Sequence, residues 1–202
     1  MKLITANLMN ELKDLSEEAV HICWITAFAM KSGVHLMLPT LKKAHERGAE
    51  IQLLVGDYLS ITQPEALRIL LDNLPKAEIR LYQTHGRSFH PKAYLFRHEG
   101  SQHVIVGSSN LSRSALTTGI EWSLHTIELP TFEQSMEEFN RVFYSEHTIP
   151  VNNISVADYE KRYKEANRVL ALSDKWSEAE EASLMYGTES KASIAKEQKT
   201  EV

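Results

Sequence analysis

The chain has 202 residues and a mass of 23.0 kDa, enough for one medium-sized domain with a core of its own. With 43% hydrophobic and 24% charged residues, no apolar run near the roughly 18 residues of a membrane span, and one cysteine, Cys23, the composition speaks against a membrane-spanning, a disulfide-framed or a multi-thiolate zinc protein. The formal charge of −5 argues against a general polyanion binder until it is placed: charges balance over residues 1–130, and residues 131–202 carry the whole excess.

Met1 to Asp14 has no sustained apolar region and meets Glu11 early, which argues against a secretory or transit segment and for a cytoplasmic, reducing address. The β-branched and aromatic run Ala19 to Phe28 lacks helical spacing and predicts a strand buried on both faces, ended by Gly33. From Val34 to Arg47, Leu36, Leu38, Leu41 and Ala44 predict a helix stopped by Gly48, with Pro39 demanding a kink or a late start. A strand over 50–56 and a helix over 64–72, with Pro64 in its first turn, continue the alternation of an α/β fold. Strands over 77–82, 89–96, 102–107 and 119–127 then predict a large mixed sheet. Phe132, Met136, Phe139 and Phe143 mark a helix over 131–144 packed on that sheet, and a loop over 149–154 leads to a helix over 158–172. The expected organisation is a catalytic domain over 1–150, a helical connector over 151–176, and a weakly ordered Glu-, Ala-, Ser- and Lys-rich tail over 177–202.

Chemistry concentrates between residues 80 and 121. Arg80, Arg87, Lys92, Arg97 and Arg113 face only Glu99 in the stretch from 80 to 113, so this segment is locally basic. His90 and Lys92 are two apart on an extended segment and share a face, setting an imidazole beside an ammonium. After a turn near Glu99 and Gly100, an apolar strand releases Gly107-Ser108-Ser109-Asn110, whose hydroxyls, amide and backbone N–H groups suit an anion. A third strand is expected to carry Glu121. Together these groups suit phosphoryl chemistry without a metal or cofactor: the cation and the amide hold oxygens, the imidazole attacks phosphorus, and the carboxylate orients the ring. Taken singly each has an ordinary role, His90 as a surface histidine and Gly107 to Asn110 as a helix-capping turn; their joint order carries the functional reading. Tyr94 and Trp122 are either core or groove residues, the core being the commoner place for both.

His-x-Lys at 90–92, followed by Gly-Ser-x-Asn at 107–110 and Glu121, resembles the phospholipase D superfamily, most of all its single-motif branch of small bacterial nucleases and metal-independent restriction endonucleases. The resemblance spans about residues 85–125, and Arg97 stands where the family motif has an aspartate. It implies an α-β-α sandwich, a mixed sheet with helices on both faces. It also implies His90 as the nucleophile that forms a phosphohistidine, Lys92 and Asn110 as ligands of non-bridging oxygens, an assisting Ser108, and Glu121 bonded to the other ring nitrogen of His90. The family needs two motifs per site; this sequence has one, because none of its other histidines has a lysine two residues later. The second copy is therefore expected from a homodimer with one shared site. Ser109, Arg87, Arg97 and Arg113 are the expected further contacts to substrate phosphate, and nucleic acid, DNA above all, is the expected partner, with no membrane involved. A catalytically weak binding module working with a helicase or restriction machine is the competing reading, which Arg97 favours.

Overall fold

The computed structural model describes residues 1–166. The elements are β1 (Lys2–Ile4), α1 (Leu8–Glu17), β2 (His21–Thr26), α2 (Lys31–Glu46), β3 (Glu50–Gly56), α3 (Pro64–Asn73), β4 (Glu78–Tyr82), β5 (Lys92–Arg97), β6 (Gln102–Gly107), α4 (Arg113–Leu116), β7 (Ser123–Thr126), α5 (Leu129–Phe143), β8 (Thr148–Pro150) and α6 (Asn153–Ala166). Eight strands form one sheet in the order β1-β7-β6-β5-β2-β3-β4-β8. β2, β3 and β4 run parallel, and every other pairing is antiparallel. The mixed sheet and α/β class follow the sequence expectation.

Alternation along the strands sends side chains to two cores. Trp24, Tyr94, Phe96 and Ile105 pack with α1, α2, α3 and α6 on one face. Cys23, Ile25, Leu95 and Val104 pack under Phe132, Phe139 and Phe143 of α5 on the other, with Met136 partly buried beside them. Truncating one of those phenylalanines to alanine costs about 3–5 kcal/mol by the usual cavity cost. Three residues each in β1 and β8 leave the sheet with short rims.

Several boundaries depart from the sequence reading, for local reasons. α2 starts at Lys31 rather than Val34 and runs through Pro39. Pro39 and His35, whose carbonyl it leaves without a helical donor, both lie on the exposed side, where water can serve instead. β5 begins at Lys92 and excludes His90, because Pro91 has no N–H for the ladder. β7 spans only Ser123–Thr126, so Glu121 lies ahead of the strand that was expected to carry it; pairing with β6 starts at Gly107↔Ser123, and Ile120 is fully exposed. β8 falls partly within the expected loop, held by pairing to Arg80, Leu81 and Tyr82. α6 starts earlier than expected, at Asn153, and the remainder of the predicted helix and the tail over 177–202 lie outside the described residues. β1 and α1 were not foreseen, although Leu8, Leu12 and Leu15 have helical spacing.

Candidate active site

The carboxyl ends of the parallel strands β2, β3 and β4 lie on one edge of the sheet. β5 and β7 start at that edge, and β6 ends there, because they run the other way. Topology therefore gathers Thr26, Lys92, Gly107 and Ser123 at a single rim. Lys92 pairs directly with Thr26.

The Lys92 ammonium lies 2.6 Å from Nδ1 and 3.0 Å from Nε2 of His90, and donates to the His90 carbonyl at 3.0 Å. Lys92 itself is buried, whereas His90 is exposed. Burial lowers the lysine's pKa to about 8, and the field of Glu121 opposes that fall. The His90 pKa is lowered from its ordinary value, first by desolvation and then by the adjacent ammonium. The resting pair is therefore a neutral imidazole, able to act as nucleophile, next to a cation able to receive an oxyanion.

Asn110 reaches the same rim through Thr26, whose hydroxyl lies 3.1 Å from Asn110 Oδ1 and 2.9 Å from the Phe28 carbonyl. The Leu111 N–H donates to that hydroxyl at 3.3 Å. Holding Oδ1 against Thr26 leaves the Nδ2 donors of Asn110 for another acceptor. The buried Tyr94 hydroxyl donates to the Ser109 carbonyl at 2.8 Å, so the side chain two positions after Lys92 braces the loop that carries Asn110. Ser109 is buried, and its own hydroxyl has no hydrogen-bond partner among the described residues.

Gly107 is tightly enclosed: a Cβ there would collide with Ser123 Oγ and the Trp122 carbonyl. This close packing lets Ser108 N donate to the Trp122 carbonyl at 3.0 Å and Ser108 Oγ accept from Trp122 N at 3.0 Å. Ser108 Oγ also donates to the Glu121 carboxylate. Glu121 is thus bonded to Ser108, whereas the sequence reading joined it to His90; it reaches the histidine only through its field on Lys92.

The three candidate arginines separate. Arg87 stands on the loop before His90 and donates to His147 Nε2 at 2.9 Å. Arg113, at the start of α4, is exposed, with its backbone N–H directed to Ser32 Oγ at 3.3 Å. Arg97 lies five residues along β5 from Lys92, about 16 Å at a strand's rise, and an odd separation turns it to the opposite sheet face. There its guanidinium sits 4.8 Å from the ring of Phe132. Position 97 is therefore remote from the imidazole. Of the two aromatics left open, Tyr94 is core and Trp122 is exposed.

A cleft of about 870 Å³ opens beside His90, floored by Ile25, Ala93, Leu95 and Val106 and walled by the outer side of α5. Thr26 and Tyr58, whose ring meets the His90 ring edge to face at 5.5 Å, are contributors that the motif search passed over. The signal for both was present: each lies at or just beyond the carboxyl end of a predicted parallel strand. Among the described residues no cluster of three or more His, Cys, Asp or Glu is placed to hold a metal ion, and no helix is long and apolar enough to cross a membrane.

Residues 12–143 match the family model described as cardiolipin synthase, PLD-like domain. No curated protein matches the chain. Among solved structures, NucT from Helicobacter pylori aligns with a TM-score of 0.59 and 15% identity, over 74% of this chain and 97% of its own. A phospholipase D family member, Nuc from Salmonella typhimurium, aligns with a TM-score of 0.55 and 15% identity, over 70% and 88%. Phosphatidylserine synthase from Haemophilus influenzae Rd KW20 aligns with a TM-score of 0.56 and 15% identity, over 84% of this chain and 45% of its own. At such identities the likeness is one of fold.

Proposed function

The chain belongs to the PLD-like domain family of the cardiolipin synthase type, and on that premise we propose that it is a metal-independent phosphodiesterase of nucleic acids, a DNA endonuclease. The observation that carries the reading is the neutral imidazole of His90 bonded to the Lys92 ammonium at the mouth of a cleft, with Asn110 fixed at the same rim. A ring nitrogen of His90 attacks phosphorus while Lys92 and Asn110 hold the non-bridging oxygens. The P–O bond breaks, and the leaving oxygen takes a proton from a second imidazole. Water then cleaves the P–N bond, releasing the phosphate monoester and restoring His90.

The second imidazole is His90 of a second copy of the chain. Support for that copy comes from the sheet face beside the cleft: Leu3, Leu124 and Val106 are cross-strand neighbours on β1, β7 and β6, and all three are exposed. The row continues through Ala93 and Ile25 into the cleft floor, so a chain covering it would also approach His90. Nucleic acid is favoured over a single lipid headgroup by the exposed guanidiniums of Arg87 and Arg113, on the loop before His90 and just after Asn110, which suit successive phosphates of one strand.

The test is covalent trapping. Labelled DNA incubated with the protein in excess EDTA and quenched in alkali should leave acid-labile phosphate on His90, and His90→Ala should leave none and cleave nothing. Cleavage that survives His90→Ala, or that EDTA abolishes, would overturn the mechanism. Turnover of phosphatidylglycerol vesicles with DNA untouched would overturn the substrate class, and a monomer with full activity would overturn the shared site.

A further inference from the structure

Beside His90 a second cleft of about 580 Å³ lies between the loops 57–60 and 84–88 and the end of α6. Its volume is within the range of small-ligand sites. Its walls are built. The buried Asp57 carboxylate accepts from Thr84 N at 2.8 Å and Thr84 Oγ1 at 2.7 Å through Oδ1, and from Arg162 Nη1 at 3.1 Å through Oδ2. One carboxylate thus ties both loops to the helix. Leu59, Ser60 and His85 hold positive φ angles of 52°, 54° and 46°, a conformation that non-glycine residues adopt at a cost and that clusters at ligand clamps. Tyr58 forms the wall nearest the reaction centre. It is half-buried, lines this cleft, and meets the ring of His90 edge to face. Arg87, Ser88 and His85 line the same space, and Arg87 is exposed, with donors beyond the one given to His147.

An aromatic ring next to the nucleophile, followed by an exposed guanidinium, matches the order of groups in a nucleotide strand. We propose that this cleft is the subsite for the nucleotide adjoining the scissile phosphate, its base stacking on Tyr58 and its far phosphate meeting Arg87. The inference rests on the nucleic-acid reading above and assigns a base-dependent contribution to a site whose other contacts are to phosphate. Tyr58 is then a specificity residue: it separates a strand that has bases from one that has only a backbone.

The experiment compares two probes of equal length and charge, a fluorescent oligothymidylate and its abasic counterpart, binding to the His90→Ala protein so that turnover does not interfere. Tyr58→Leu should weaken oligothymidylate binding about tenfold, in the range of one lost base stack, and leave abasic binding unchanged, while Tyr58→Phe keeps both. Arg87→Gln should weaken both probes alike and flatten the salt dependence. Tyr58→Trp guards against a folding defect in the leucine variant: its added indole emission should change with oligothymidylate and stay constant with the abasic strand. Equal loss on both probes in Tyr58→Leu, no loss on either, or the same indole response to both strands would overturn the subsite. A protein with native Tyr58 that binds neither probe, with DNA uncleaved by the unsubstituted chain, would instead overturn the functional reading beneath it.

Discussion

His90 and His103 sit at opposite ends of the same sheet, and both have pKa values below the ordinary histidine range. Their surroundings differ. His103, on β6, has Nδ1 3.0 Å from His125 Nε2 and Nε2 3.1 Å from Ser101 Oγ, and its ring lies 4.7 Å from that of His98, whose Nε2 donates to the Leu15 carbonyl at 2.8 Å. Desolvation, then His98 and His125, lower its pKa to about 4. Both ring nitrogens of His103 face neighbouring side chains. His90 is held by one ammonium on a long stem, at the mouth of a cleft. In the proposed reaction a phosphate oxygen competes for that ammonium, and the contrast teaches that such a histidine becomes a reagent because its partner is one the substrate can take away.

Substitutions can break this contrast in order of expected effect. Lys92→Ala should lower phosphodiester hydrolysis by about 10²–10³, the usual loss for one electrostatic donor at a developing charge, with the fold retained by circular dichroism. In the unsubstituted protein, activity should fall as pH rises through about 8, where Lys92 loses the proton that makes it a cation; a flat steady-state profile from pH 7 to 9.5 would remove Lys92 from oxyanion binding. Gly107→Ala should cost about 1–3 kcal/mol in urea unfolding, since the added methyl meets Ser123 and the Trp122 carbonyl, and it should displace Ser108 and Asn110 together.

Thr26→Val keeps the shape and removes the hydroxyl that fixes the Asn110 amide. It should lower kcat by about fivefold, and KM little, as expected for one neutral hydrogen bond of roughly 1 kcal/mol. Thr26→Ser should restore most of the loss, and a mutant whose KM alone rises would place Thr26 outside the positioning of Asn110. At the other end of the sheet the expected effect is on stability and not on catalysis. Because the folded His103 binds its proton at about 4 and the unfolded one near 6.5, the unfolded chain takes up protons first as pH falls. Stability should decline between about pH 6.5 and 4 and level off below. His103→Gln should flatten that part of the urea-midpoint profile and leave catalysis at pH 7.5 unchanged.

The inner strands of the sheet and the helix carrying Phe132, Phe139 and Phe143 were legible from hydrophobic pattern, whereas the three-residue outer strands β1 and β8 were too short to show one. The meeting of His90, Lys92 and Asn110 at one rim was legible too, because a motif keeps its residues in a fixed linear order, whereas the partner of Glu121 was not. The bond from Ser108 to Glu121 was not legible, since it depends on Gly107 letting two backbones approach. Nor was the placement of Arg97, which the parity of a strand turns to the other face although it is close to Lys92 in sequence. Thr26 and Tyr58 were passed over because topology, not sequence order, brings them beside Asn110 and His90.

Among the described residues, β1 and β8, with three residues each, finish the sheet on both sides. Outer strands this brief offer too few free amides and carbonyls to template a ninth strand. Growth into fibrils by edge addition is thereby discouraged in the native protein, and the second copy proposed above would have to meet this chain broadside.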